Sequence, residues 1–229
     1  MTNMFCESAF FGVVISLLAY ELGMLLKKKF GLPIFNPLLI SIAVVIVFLA
    51  VFDINYQNYN DGAKYLSYLL TPATVCLAIP LYEQMEALKK NIKAILAGIL
   101  SGVLTSLTVV LALALIFNLN HKMYVTLPKS ITTAIGMGVS EELGGAVTIT
   151  VAVIIITGVL GNMLAETLGK LFHIEEPIAK GISIGSASHA IGTAKAMEMG
   201  DVEGAMSSLS IAVAGILTVV GASIYAMFI

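Results

Sequence analysis

Residues 127–145, LPKSITTAIGMGVSEELGG, decide the fold. The stretch is polar and glycine-rich, yet it lies between two long apolar runs, Ala94 to Asn120 and Leu143 to Ala165. Lys129, Ser130, Thr132, Thr133, Ser140, Glu141 and Glu142 fall within 14 positions. In hydrocarbon, such a density of polar groups is tolerated only where it is buried in protein or lines a watery cavity. A second segment of the same kind follows at 181–204, GISIGSASHAIGTAKAMEMGDVEG. We read the pair as the working site and the remaining helices as its frame.

The whole chain is consistent with a membrane setting. Of its 229 residues, 59% are hydrophobic and 11% charged, with a mean hydropathy of +0.99, whereas soluble domains carry about 25% charged residues. The chain is therefore expected to be an all-α integral membrane protein. A net charge of −2 gives no reason to expect nucleic acid as a partner. Cys6 and Cys76 have no metal-like spacing and read as small packing residues. The N-terminus has no basic stretch before its apolar run and no evident cleavage site, so that run is expected to stay as a span. With no polar stretch long enough for a soluble module, residues 1–229 are expected to form a single polytopic domain. In it, 1–120 are frame spans and 121–229 carry the site.

Six apolar runs approach the ~20 residues that a span requires: Ser8–Leu26, Phe30–Phe52, Tyr65–Tyr82, Ala94–Asn120, Leu143–Ala165 and Gly204–Ile229. Pro33, Asn36 and Pro37 mark the start of the second, and Pro72 and Pro80 interrupt the third. Asp53–Lys64 reads as a polar loop with interfacial tyrosines. Two uncharged runs, Ser130–Ser140 and Gly181–Ala194, are too short to span, so broken or re-entrant segments are expected around 127–142 and 181–198. Lysines at 27–29 and at 89, 90 and 93 mark cytoplasmic loops, which places the N-terminus outside. Whether the two short segments cross or re-enter stays open.

The sequence also repeats itself. Ala78-Ile79-Pro80 recurs as Ala134-Ile135-Gly136 and Ala190-Ile191-Gly192, at intervals of 56 residues. Each is followed by an acidic residue and then by a small-residue-plus-glycine step: Ser101-Gly102, Thr157-Gly158 and Ala214-Gly215. The implied unit is a broken segment followed by a full helix, a plan that transporters use.

A broken helix offers freed N–H groups that attract an anion. Gly136, Gly138, Gly144, Gly145, Gly185 and Gly192 let the backbone bend and approach a ligand. Ser130, Thr132, Thr133, Ser186, Ser188 and Thr193 supply hydroxyls, and Lys129 and Lys195 balance a carboxylate. If 186–195 are helical, Ser188, Gly192 and Lys195 share one face, and Ser186, His189 and Thr193 another. Each feature has a plainer alternative: lysines that snorkel to headgroups, and hydroxyls that bond the preceding turn of their own helix. His189, the one histidine inside an apolar run, is a proton relay or a structural histidine. Glu141 and Glu142 bind a coupling cation or simply end a half-helix; Glu21 and Glu166 read as interfacial. No His-Glu-x-x-His, Gly-x-Ser-x-Gly or P-loop pattern occurs, so neither an enzyme nor a cofactor is expected.

Over nearly its whole length the chain resembles the LrgB/CidB family of bacterial membrane proteins, including its YohK-like members and the C-terminal half of the plant plastidic glycolate/glycerate carrier. The resemblance rests on Asn36-Pro37, PATVCLAIPLYEQ from Pro72, LPKSITT from Leu127 and GSASHAIGTAKAMEMGDVEGAMSS from Gly185. Three positions depart from the family pattern: Ala134 for a proline, Gly138 for a glutamate and Lys195 for an arginine. The resemblance implies one of two functions. One is carriage of small monocarboxylates such as glycolate, glycerate or pyruvate. The other is holin/antiholin-like modulation of murein hydrolase activity and cell lysis with a small LrgA-type membrane partner. Polar broken segments within a repeat suit the carrier better. The expected setting is the bacterial cytoplasmic (inner) membrane, with a homodimer as the assembly.

Overall fold

The computed structural model describes residues 10–120 and 128–228. Cys6, the placement of the N-terminus and the start of the first broken segment at Leu127 lie outside the described residues. Among those described the chain is all helical, with no strand. It divides into two compact units, one up to Cys76 and one from Leu77 onward.

The first unit holds α1 (Phe11–Phe30), α2 (Pro37–Val51), α3 (Tyr56–Ser67) and α4 (Leu70–Cys76). Helix α1 ends where Gly31 turns left-handed (φ 65°) and donates its N–H to the Lys27 carbonyl, with three lysines in the last turn facing the negative end of the dipole. Pro33–Phe35 form a 3-10 turn. Asn36 then caps α2, its side chain accepting from the N–H groups of Leu38 and Leu39, and Pro37 occupies the first helical position. This punctuation costs the second apolar run its first turns and leaves a 15-residue helix. Of the expected loop Asp53–Lys64, only residues 53–55 are non-helical, and the rest is helix. Asn55 caps α3, whose inner face meets α1: Ser16 Oγ lies 2.7 Å from Tyr59 Oη, and Gly12 leaves no room for a Cβ against Tyr59 and Ala63. Polar composition hid an amphipathic helix.

The second unit holds α5 (Ala78–Glu83), α6 (Met85–Ile116), α7 (Thr133–Glu142), α8 (Val147–Leu171), α9 (Pro177–Met199) and α10 (Asp201–Tyr225, extended by a 3-10 turn to Phe228). Its apolar core joins Ile95, Ile99, Val103 and Leu107 of α6 to Ile182 of α9 and to Ala205, Met206 and Ala214 of α10. Helix α9 is the axis, packed against α6, α8 and α10. Small residues make the close approach possible. A Cβ on Gly181 or Gly185 of α9 would strike Glu203 or Ser207 of α10; one on Gly158 or Gly161 of α8 would strike His189 or Ser188 of α9. A Cβ on Gly98 or Gly102 of α6 would lie 3.3 or 3.0 Å from Ile182 or Ser186 of α9.

Four helical stretches are long and apolar enough to cross a membrane: Tyr56–Glu83, Met85–Ile116, Val147–Leu171 and Asp201–Phe228. The six expected spans are thus met for four. The first run forms a 20-residue helix carrying Glu21 and three lysines, and the second stops at 15 residues. The tripeptides of the 56-residue repeat each open a short helical piece, α5, α7 and the part of α9 beyond His189, and a long helix follows each piece.

Candidate functional site

Helix α9 breaks in its middle. His189 takes φ 44°, ψ −144°, outside helical space, and divides 177–199 into two half-helices. A side chain at such a backbone setting costs on the order of 1–3 kcal/mol, sustained only where the surroundings hold it. The surroundings here are tight. His189 is 2% exposed, its ring seated in the notch of Gly158, and its Nε2 lies 3.0 Å from the Ile154 carbonyl oxygen. On the far side, Thr193 donates its hydroxyl to the His189 carbonyl at 3.0 Å and sits 2.7 Å from Ser207 Oγ. Asn162 of α8 donates to the Ile191 carbonyl at 2.7 Å. Side chains of three helices therefore satisfy the polar groups around the break.

Further along α9, Lys195 makes a 2.6 Å ion pair with Glu166 of α8 and a 3.1 Å pair with Glu198. A cation with two carboxylates is already neutralised. Lys129 differs: it is half-buried, its Nζ donates to Ser130 Oγ at 3.2 Å, and no described carboxylate pairs with it. Ser130, 7% exposed, lies 3.1 Å from Ser106 Oγ on α6. These groups stand at one end of a groove of about 850 Å³ between α6, α9 and the segment before α7.

A model of the LrgB-like family matches residues 16–228. The chain belongs to the LrgB family. It is 41% identical over 222 residues to the antiholin-like protein LrgB of Bacillus mycoides (strain KBAB4), covering 96% of each chain. The same identity and coverage hold for the proteins of that name from Bacillus cereus (strain B4264) and Bacillus anthracis (strain CDC 684 / NRRL 3495). No solved structure matches.

In this LrgB-family chain the residues expected to form one site separate into three places. Lys129, Ser130 and Ser186 line the groove, though Ser186 spends its hydroxyl on the Ile182 carbonyl of its own helix at 2.7 Å. Ser188, His189, Gly192 and Thr193 are buried at the break, and Lys195 is tied to Glu166. The two continuous faces expected of 186–195 do not exist, because the break reorients them: Ser186 meets α6, Ser188, His189 and Lys195 meet α8, and Thr193 meets α10. Thr132 is the N-cap of α7 but makes no side-chain cap bond; it and Thr133 are half-buried. Glu141 and Glu142 sit on the exposed last turn of α7, where Ser140 turns inward to Thr150 Oγ1 at 2.8 Å.

The expectation that glycines bend the backbone toward a ligand needs correction. The residue that breaks α9 is a histidine. Gly185 faces α10, Gly136 faces Ile154, and Gly192 receives Ser188 and Ile184 of its own helix from across the break. Of the six, Gly144 alone has positive φ (74°), in the turn between α7 and α8. At Gly138, where the family pattern has a glutamate, a side chain meets nothing within 4 Å. Sequence reading missed Ser101, Thr105 and Ser106 of α6, taken as frame, and Asn162 and Glu166 of α8. For the α6 residues the signal was present: Gly98, Ser101, Gly102, Thr105 and Ser106 recur at helical spacing.

Proposed function

We propose that this LrgB-family protein is a secondary carrier of small monocarboxylates, such as glycolate, glycerate or pyruvate, in the bacterial cytoplasmic membrane. The observation that supports this reading best is the buried break at His189, midway along a helix enclosed by three others. Irregular backbone at membrane depth is tolerated where it is buried or lines a cavity, and carriers place it near the midplane, between elements that move. The half-helix beyond the break is attached through side chains, Lys195 to Glu166 and Thr193 to Ser207, which suits a part that shifts against its neighbours. Proton coupling would fall to His189, or to Glu141 and Glu142 at the exposed end of α7.

The relatives' name, antiholin-like protein, favours a second reading, which we propose as the alternative: modulation of murein hydrolase activity and cell lysis together with an LrgA-type partner. One preparation separates the two. Liposomes holding only this protein should take up labelled glycolate, pyruvate or lactate saturably while retaining a small entrapped dye. Dye leakage that rises with protein density, with no saturable uptake, would discard the carrier reading.

A further inference from the structure

The groove beside α6 has a direction. Gly98 of α6 faces Ile182 of α9, and Gly102 faces Ser186, so α6 and the first half of α9 run side by side in parallel. At one end the lining includes Asn91 and Glu176, next to Lys89, Lys90 and Lys93. At the other it includes Ser106, Ser130 and Lys129. The lining on α6 runs from Asn91 past Ser106 to Val109, 18 residues or about 27 Å at a helical rise of about 1.5 Å per residue. The inner end lies beside Ser186, one turn before the His189 break. Among the described lining residues, Lys129 is the one cation and Glu176, at the mouth, the one anion. Ser101 and Thr105 project from the exposed side of α6 into the same groove. A half-buried lysine whose one partner among the described residues is a hydroxyl is costly if hydrocarbon fills the space around it. Water and a counter-anion remove that cost.

We infer that this groove is a one-ended, water-filled vestibule for a small monoanion, open at the end bearing Lys89, Lys90 and Lys93 and closed on Lys129 beside the break in α9. Lys129 supplies the charge, and Ser106 and Ser130 supply hydroxyl donors; Lys195 takes no part. Identifying the anion with the transported carboxylate rests on the carrier reading, whereas the vestibule itself does not.

Cysteine labelling tests it. In protein with Cys6 and Cys76 replaced by serine, Thr105→Cys or Leu100→Cys is exposed to an anionic, membrane-impermeant methanethiosulfonate. The vesicles are right-side-out or inverted. Leu100, 45% exposed, is not a lining residue of the groove. Thr105→Cys should react from the lysine-bearing face alone, and Leu100→Cys from neither. Adding Lys129→Met should slow the anionic reagent on Thr105→Cys by at least about tenfold, the scale on which a charged cleft concentrates a counter-ion. Lys129→Arg should preserve the rate, which separates loss of charge from misfolding. Equal labelling of the two cysteines, or a rate indifferent to Lys129→Met, would overturn the vestibule. Where the proteoliposomes accumulate glycolate, glycolate should also protect Thr105→Cys, and failure to protect would overturn the assignment. If they accumulate none while labelling still depends on Lys129, the vestibule stands and the carrier reading falls.

Discussion

At the scale of single residues, the main feature is a histidine where a glycine would be more comfortable. A positive φ removes the steric advantage of any side chain, so His189 is held by its ring's seat against Gly158 and its contact with Ile154. Two substitutions separate backbone from side chain. His189→Ala loses the ring and keeps the strain; His189→Gly loses the ring and the strain together. The glycine variant should be the more stable of the two by about 1 kcal/mol, seen as a higher thermal midpoint in detergent; the reverse order would mean that the break imposes no strain. A break within 181–198 was legible; that a histidine makes it, and that Lys195 is saturated, was not. Glycines at 185 and 192 advertised flexibility, but in the folded chain they serve close packing. Glu166, the partner of Lys195, lies 29 positions away on another helix, a distance that only tertiary structure bridges.

At the scale of helices, α9 depends on seams of small residues and on one cluster of charge. Gly161→Leu should prevent α8 from approaching α9 and abolish a monodisperse size-exclusion peak, because Ser188 already fills the space a Cβ needs. Gly138→Leu, with nothing within 4 Å, should leave the peak unchanged. The Lys195–Glu166 pair joins the second half of α9 to α8, with Lys195 side-chain exposure at 16% and Glu166 at 48%. A double-mutant cycle with Lys195→Met and Glu166→Gln should give a coupling of about 1 kcal/mol, at the upper end for pairs that water reaches. Coupling near zero would show that the pair does not hold the half-helix. Asn36-Pro37 was legible as the entry of the second run, but the expected run begins at Phe30, seven residues before the helix does. Helix boundaries were also misread at Asp53–Lys64, where a polar stretch was equated with a loop although Tyr59 and Ala63, four apart, share the face that meets α1.

For the molecule as a whole, hydropathy identified the class, and four of the expected spans follow from it, because apolar length is a property of the chain before it folds. The site was legible only as two regions. Which polar residues of those regions meet one another depends on the break and on the registry of α9 with α6, α8 and α10. The orientation of α6 can be checked directly. By the positive-inside rule, lysines 89, 90 and 93 lead to the expectation that its start faces the cytoplasm. An alkaline phosphatase fused after Gln84 should therefore be inactive, and one fused after Asn118 active. The opposite pattern would invert the vestibule. A different consequence comes from α2. Its 15 residues give an apolar length of about 22 Å, whereas the hydrocarbon of an ordinary bilayer is about 30 Å thick. If α2 crosses, a helix that short draws the leaflets inward, at a cost of a fraction of a kcal/mol per ångström of mismatch. The protein should thus prefer thin membranes, so acyl-chain length becomes a control on its stability that no side chain sets.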